Sequence, residues 1–261
     1  FGEFFAILLA GIDLSVGSVA ALVGTFIAMM LKANVPVPAA ILAGLLISLV
    51  LGAVNGVLIN ALDLHPFVVT LGTNTIFRGV TLVISKGSPI FGLPASFKGI
   101  SGYVLGFPIP FIFALVMSAV LIWFTNQTVV ARNLYALGGN KQAAWYSGIN
   151  TRQFTLFAHM LASFLAGVAG VIMTSRVGAA EPTAGEGYET YAIASCIIGG
   201  TSFFGGKGKI FGVLLGGLTI GTITNGLNIL NVSSYWQKVV MGALIIASVA
   251  LEKLVGSTVK D

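Results

Sequence analysis

Apolar residues run through this chain in long unbroken stretches, separated by short polar breaks rather than by alternating polar positions. A helix crossing a bilayer needs about 20 apolar residues, whereas a strand of a membrane barrel would alternate over roughly ten. The pattern therefore predicts helices. Residues 1–11 read as the tail of one helix. Residues 16–31 and 37–62 are apolar and are split by Lys32, Asn34, Pro36 and Pro38. Residues 66–84 are a shorter, more polar segment with Thr70, Thr73, Asn74, Thr75 and Arg78. A Gly-, Pro- and Ser-rich loop covers 85–107, and residues 108–126 are apolar again. Residues 127–152 are the longest polar stretch. Residues 153–175 are apolar, 176–190 polar, and 191–204 a short apolar segment before 210–230 and 236–255. This reading gives an all-α polytopic membrane protein with about eight or nine membrane segments, the whole of 1–261 forming one transmembrane domain.

Composition excludes the other classes. Of the 261 residues 56% are hydrophobic and 8% charged, with a mean hydropathy of +0.99. A soluble domain averages about 25% charged residues, and a disordered chain is polar and charge-rich. The net charge of +5 is spread along the chain, without a basic stripe interleaved with aromatics, so no nucleic-acid partner is expected. The single cysteine, Cys196, lies in an apolar run and reads as a small buried side chain. The chain opens at Phe1, inside an apolar stretch with no charged leader region, which reads as an N-terminally incomplete domain rather than a signal peptide.

Basic residues near the span ends orient the chain. Arg132, Lys141, Arg152, Lys207, Lys209, Lys253 and Lys260 fall on the side of residues 127–152, against Lys32, Lys86, Lys98, Arg176 and Lys238 on the other. The excess makes residues 127–152 cytoplasmic. An internal repeat is also visible. Asn55-Gly56 and Asn225-Gly226 each end a Gly-rich apolar helix, and alternation makes those two helices run in opposite directions. Similar sequence in opposite orientation is the mark of inverted repeats in transporters.

No enzyme constellation emerges. His65 and His159 are far apart, and no zinc-ligand spacing or nucleophile elbow occurs, so neither a catalytic residue nor a metal site is expected. Residues 199–209 resemble a phosphate loop, but Lys207 is followed by Gly where a hydroxyl must hold magnesium. They read instead as a turn with basic anchors. Gly52 with Gly56, Gly212 with Gly216, and Gly217 with Gly221 have the spacing that lets helices approach closely, either within the chain or between subunits. A charge at mid-bilayer costs about 3 kcal/mol or more, which singles out Arg78. It either lines a hydrophilic pathway or pairs with a carbonyl or with Asp13. Asp13 and Ser15 lie in a Gly11–Ser18 break that can cap helix 16–31 or face a pathway. In 127–152, Gly138-Gly139-Asn140 reads as a turn, with Asn140 capping a short helix 141–147 that offers Ala143, Ala144 and Tyr146. That helix either rests on lipid or docks a cytoplasmic partner.

Six segments in order then resemble one family: Gly11-Ile12-Asp13-Leu14-Ser15-Val16-Gly17-Ser18, Phe67–Thr73, Tyr135–Asn140, Glu181–Glu189, Gly199–Gly208 and Asn225-Gly226-Leu227-Asn228 with Ser233–Gln237. The set is similar to the permease subunits of bacterial ABC importers for monosaccharides, of the ribose, galactose, xylose and arabinose type. Glu181 stands where the ribose type often has Gln. The resemblance implies a transporter subunit that is not itself an enzyme, placed in the bacterial inner membrane. A second permease copy, identical or closely homologous, would share the pathway. A soluble sugar-binding protein would dock outside and a cytoplasmic ABC ATPase inside, with ATP and magnesium in that partner and no cofactor in this chain. It further implies that Arg132, Gly138, Gly139, Asn140, Lys141, Ala143, Ala144 and Gly148 couple to the ATPase. Asp13, Ser15, Thr70, Thr73, Asn74 and Arg78 are then pathway candidates, and Glu181, Glu186 and Glu189, with loop 85–107, face the binding protein. The alternatives are an ABC permease for a nucleoside or branched-chain amino acid, and an ion-coupled secondary transporter using Asp13.

Overall fold

A computed structural model describes residues 1–258; Lys260, counted above on the cytoplasmic side, lies outside the described residues. The elements in order are α1 (Gly2–Leu8), α2 (Val16–Lys32), α3 (Val37–Leu62), α4 (Pro66–Ser85), α5 (Ala95–Lys98), the strands β1 (Tyr103–Val104) and β2 (Phe107–Pro108), α6 (Ile109–Gln127), α7 (Val129–Gly139), α8 (Lys141–Tyr146), α9 (Thr151–Val177), α10 (Tyr188–Ile198), α11 (Ile210–Ile229) and α12 (Ser234–Thr258). Among the described residues, six helices (α3, α4, α6, α9, α11 and α12) are long and apolar enough to cross a membrane. With 17 residues, α2 is about 25 Å long, close to the hydrocarbon thickness. The sequence count of eight or nine segments was loose because it included α1 and α10. These have 7 and 11 residues as described, about 10 and 16 Å, which is too short to cross. Residues 85–107 are not a bare loop. They carry α5, a 3-10 turn over Gly99–Ser101 and, with Pro108, a two-stranded hairpin pairing Tyr103 with Pro108.

The central helix is α9. It packs on α1, α2 and α3, so its small residues meet small residues across the contact. Gly170 faces Ala20 and Gly24 faces Thr174, which makes α2 and α9 parallel. Gly52 faces His159 and Met160, and Gly167 faces Ser48, which makes α3 and α9 antiparallel. Two apolar cores result, one of Val19, Val23, Ile27 and Phe97 toward α5, the other of Phe4, Phe5, Ile7, Leu8 and Leu134 toward α7. Leu42, Leu46 and Val50 on α3 and Val116 and Val120 on α6 are exposed, as lipid-facing positions should be.

The repeat is visible in the packing. Helix α2 rests on α3 and α4, and α10 rests on α11 and α12. Each leading helix follows an irregular segment, 9–15 before α2 and 178–187 before α10. Ser195 meets Gly216 and Gly199 meets Gly212, so α11 is antiparallel to α10. Gly52, Gly56, Gly212 and Gly216 pack inside the chain, whereas Gly217 and Gly221 stand on an outward face of α11.

Candidate functional site

The break ahead of α2 is a buried polar hub. Asp13, Ser15, Asn55 and Thr70 are fully buried, and Thr73 nearly so. The Asp13 carboxylate accepts from Ser15 N at 2.9 Å and Ser15 Oγ at 2.5 Å, and its other oxygen lies 3.3 Å from His159 Nδ1. Asp13 N donates to Glu3 Oε1 at 3.1 Å, and Asn55 Nδ2 donates to Ser15 Oγ at 2.9 Å. Thr70 Oγ1 accepts from Leu14 N at 3.1 Å and lies 2.9 Å from Ile12 O. Neither Asp13 nor Ser15 caps α2 through its side chain. Asp13 instead turns the chain back on Ser15 N, while α1, α3, α4 and α9 hold the break through Glu3, Asn55, Thr70 and His159. Irregular backbone at membrane depth survives where protein satisfies it in this way. His159, unremarkable in sequence, could have been singled out only as a polar residue in an otherwise apolar stretch.

Arg78 takes the carbonyl option. Its Nη1 donates to Pro182 O and Ala184 O, both at 2.7 Å. Those carbonyls belong to the segment after α9, which pairs Ile90 with Ala180 and then descends until Gly185 O lies 2.2 Å from where a Cβ on Gly17 would be. Only a glycine fits at position 17. Asn74 is half-buried and Thr75 exposed on the same helix. Replacing Arg78 with Leu is expected to free residues 181–187, read as faster amide exchange there. Arg78→Lys should rescue only partly, since an ammonium lacks the planar fork that meets both carbonyls.

The polar stretch of residues 127–152 carries the second element. Helix α7 continues through Gly138 and Gly139, which the sequence reading placed in a turn, and breaks at Asn140. Asn140 Oδ1 then accepts from Ala143 N at 2.9 Å and caps α8, as expected. Arg132, Gly139, Asn140, Lys141, Ala143 and Gly148 are exposed, but Ala144 is buried at 4%. The exposed apolar surface of α8 is Trp145 and Tyr146, with rings 5.0 Å apart and exposures of 62% and 79%. Trp145 was missed in sequence because six residues give too little periodicity to assign a face. Gly138 packs inward: a Cβ there would lie 1.7 Å from Leu8 O. Gly206 N donates to that same carbonyl at 2.9 Å, and Tyr135 Oη donates to Gly208 O at 2.9 Å. Partial burial pushes the Tyr135 phenol up, so it stays a donor at neutral pH. Residues 199–209, the phosphate-loop look-alike, thus form a brace between α1 and α7. Beside α8 a cavity of about 580 Å³ opens between Asp63, His65, Lys141 and Arg152, with His159 in its wall.

After α9, Glu181 is exposed and accepts from Thr183 Oγ1 at 3.1 Å. Glu186 is exposed and Glu189 half-buried, but both follow the descending segment and lie level with the start of α2 rather than at the outer surface.

A multi-pass helical bundle with a broken, buried entry to α2 and a short capped helix α8 defines a polytopic membrane protein. Residues 1–249 match the family described as branched-chain amino acid transport system, permease component, and the chain belongs to it. It is 56% identical over 256 residues to the D-allose transport system permease protein of Escherichia coli (strain K12), covering 97% of this chain and 78% of that one. It is 46% identical to the ribose import permease protein of Bacillus subtilis (strain 168), over 97% and 80% of the two chains. It is 35% identical to the autoinducer 2 import system permease protein of Salmonella choleraesuis (strain SC-B67), over 94% and 71%. No solved structure matches the chain significantly. The chain is a multi-pass permease component of the inner membrane, a transport subunit rather than an enzyme.

Proposed function

We propose that the chain is the membrane-spanning subunit of an ATP-driven ABC importer for a monosaccharide. Two permease copies enclose the pathway, a soluble binding protein delivers the sugar from outside, and a cytoplasmic ATPase holding ATP and magnesium drives the cycle. The observation that carries this reading is the similarity to permeases named for D-allose and ribose along nearly the whole chain. The family description leaves branched-chain amino acids as the second reading of the cargo.

Within this reading, residues 127–152 are the coupling segment. Helix α8 is braced from behind by α7 and α9 and offers Trp145 and Tyr146 to a partner. Arg132, Asn140, Lys141, Ala143 and Gly148 are exposed on the same segment, while Ala144 is buried behind α8 and Gly138 packs α7 against Leu8. Glu181 and the hairpin of residues 103–108 form the outer face for the binding protein. A central Trp anchor is commonly worth about 2 kcal/mol or more at an interface. Trp145→Ala is therefore expected to lower ATPase affinity about thirtyfold while the permease melts as wild type. Pull-down of the ATPase against a thermal melt in detergent checks both. Mass spectrometry of what co-purifies with the tagged chain from mild detergent tests the proposal itself: an ABC ATPase and a soluble binding protein are expected, and a chain that purifies alone from intact membranes contradicts it.

A further inference from the structure

We propose that the cavity beside α8 is a binding site for the phosphate of an anionic phospholipid, drawn from the leaflet on the α8 side. The proposal goes beyond the importer reading and needs only that the chain spans a membrane. Place comes first. Residues 63–65 alone separate α3 from α4, and both helices are long enough to cross, as is α9, which begins in the same wall. A cavity where three spans turn or start opens at the membrane boundary, the level of lipid headgroups.

Charge comes second. Lys141 and Arg152 line the cavity, and among the described residues neither makes an ion pair. Asp63 is the acid in the wall, and it too makes no ion pair among the described residues. Two permanent cations against one carboxylate leave a single positive charge, the complement of one phosphodiester. The donors agree with the charge. His65 Nδ1 accepts from Phe67 N at 3.3 Å, so the neutral ring carries its proton on Nε2, as a donor. Asn150 Oδ1 takes Gln153 N at 3.2 Å, which leaves Thr151 N and Arg152 N without a hydrogen bond among the described residues. Helices α4 and α9 start in the wall and α3 alone ends there, so the helix dipoles also favour an anion. Asn60 Nδ2 donates to the Arg152 carbonyl at 2.8 Å and fixes the backbone that carries the guanidinium.

Apolar surface names the source of the phosphate. Leu62, Leu64, Phe67 and Val68 are exposed around the same junction. Acyl chains cover this rim while the phosphate enters the cavity, whereas a soluble phosphate leaves it bare. The volume, about 580 Å³, suits a glycerophosphate headgroup rather than a lone phosphate. Basic pockets between membrane helices at this level are where acidic headgroups bind.

The test is native mass spectrometry of the whole transporter in mild detergent, stripped of lipid and titrated with phosphatidylglycerol or phosphatidylcholine. The wild type is expected to bind phosphatidylglycerol at least about fivefold more tightly than phosphatidylcholine. Lys141→Gln with Arg152→Gln is expected to weaken phosphatidylglycerol about thirtyfold, about fivefold for each cation. Lys86→Gln with Arg176→Gln removes the same charge from the far ends of α4 and α9 and is expected to bind as wild type. If the first double variant does not assemble, Arg152→Gln alone is compared with Arg176→Gln, because the bond from Asn60 takes a backbone carbonyl and survives the change. No preference for phosphatidylglycerol in the wild type, or equal weakening in the two double variants, overturns the site. Displacement of the lipid by an equal concentration of glycerol 3-phosphate assigns the cavity to a soluble phosphate. Binding seen only after the ATPase is removed assigns it to an acidic side chain of that partner. Either result overturns the lipid assignment.

Discussion

Asp13→Ala is expected to abolish a stable permease. The carboxylate is buried without solvent and satisfies Ser15 N, Ser15 Oγ and His159 together. Removing one partner of such a buried cluster commonly costs 3–5 kcal/mol, about the size of many proteins' whole margin. The loss also propagates, because Ser15 in turn holds Asn55 of α3, and Asp13 N holds Glu3 of α1. Asp13→Asn keeps the oxygen that accepts from Ser15 N and should retain most of the stability, since a neutral His159 can still share a hydrogen bond with the amide. Size-exclusion and thermal melts in mild detergent check this, with loss of the monodisperse peak for Asp13→Ala and a modest drop for Asp13→Asn. A wild-type melt for Asp13→Ala would mean that the hub does not hold the break. It would return Asp13 to the pathway, where an ion-coupled mechanism would need it.

Gly138→Val is expected to be nearly as damaging, for a steric reason. The new Cβ would stand 1.7 Å from Leu8 O and 2.8 Å from Gly206 N, inside the hydrogen bond that joins them at 2.9 Å. No flexible side chain can yield there, since both neighbours are backbone. Overpacking a tight site costs about 1–3 kcal/mol, and opening this bond adds about 1 more. The consequence is local to the brace of α1, α7 and residues 199–209, next to α8. Ala143→Asp, by contrast, changes an exposed position on α8 and should leave the melt unchanged while lowering ATPase binding. The two variants thus separate packing from docking within six residues. Equal thermal stability of Gly138→Val and wild type would show that α7 does not lean on α1.

The long spans were legible because a 26-residue apolar run such as Val37–Leu62 has one physical solution in a bilayer. The break at Gly11–Ser15 and the Asn140 cap were legible for the same kind of reason: short polar residues between apolar runs compete for backbone groups. The dive of residues 181–187 was not. It is held by Gly17 against Gly185 and by Arg78 on two carbonyls, and backbone contacts leave no trace in hydropathy. Reading Glu186 and Glu189 as outer-surface residues followed from treating that segment as a simple polar loop. Sequence also could not pair Asp13 with His159, 146 positions away, because an isolated polar residue in an apolar helix does not announce its partner.

The central claim is that this permease works as part of an ATP-driven importer. Its most direct test is uptake of labelled monosaccharide into proteoliposomes holding the purified transporter, with ATP enclosed on the α8 side and ionophores collapsing every ion gradient. Uptake that requires ATP and loaded binding protein, and survives the ionophores, is the predicted result. Uptake by the chain alone, without ATP and abolished by the ionophores, would contradict it.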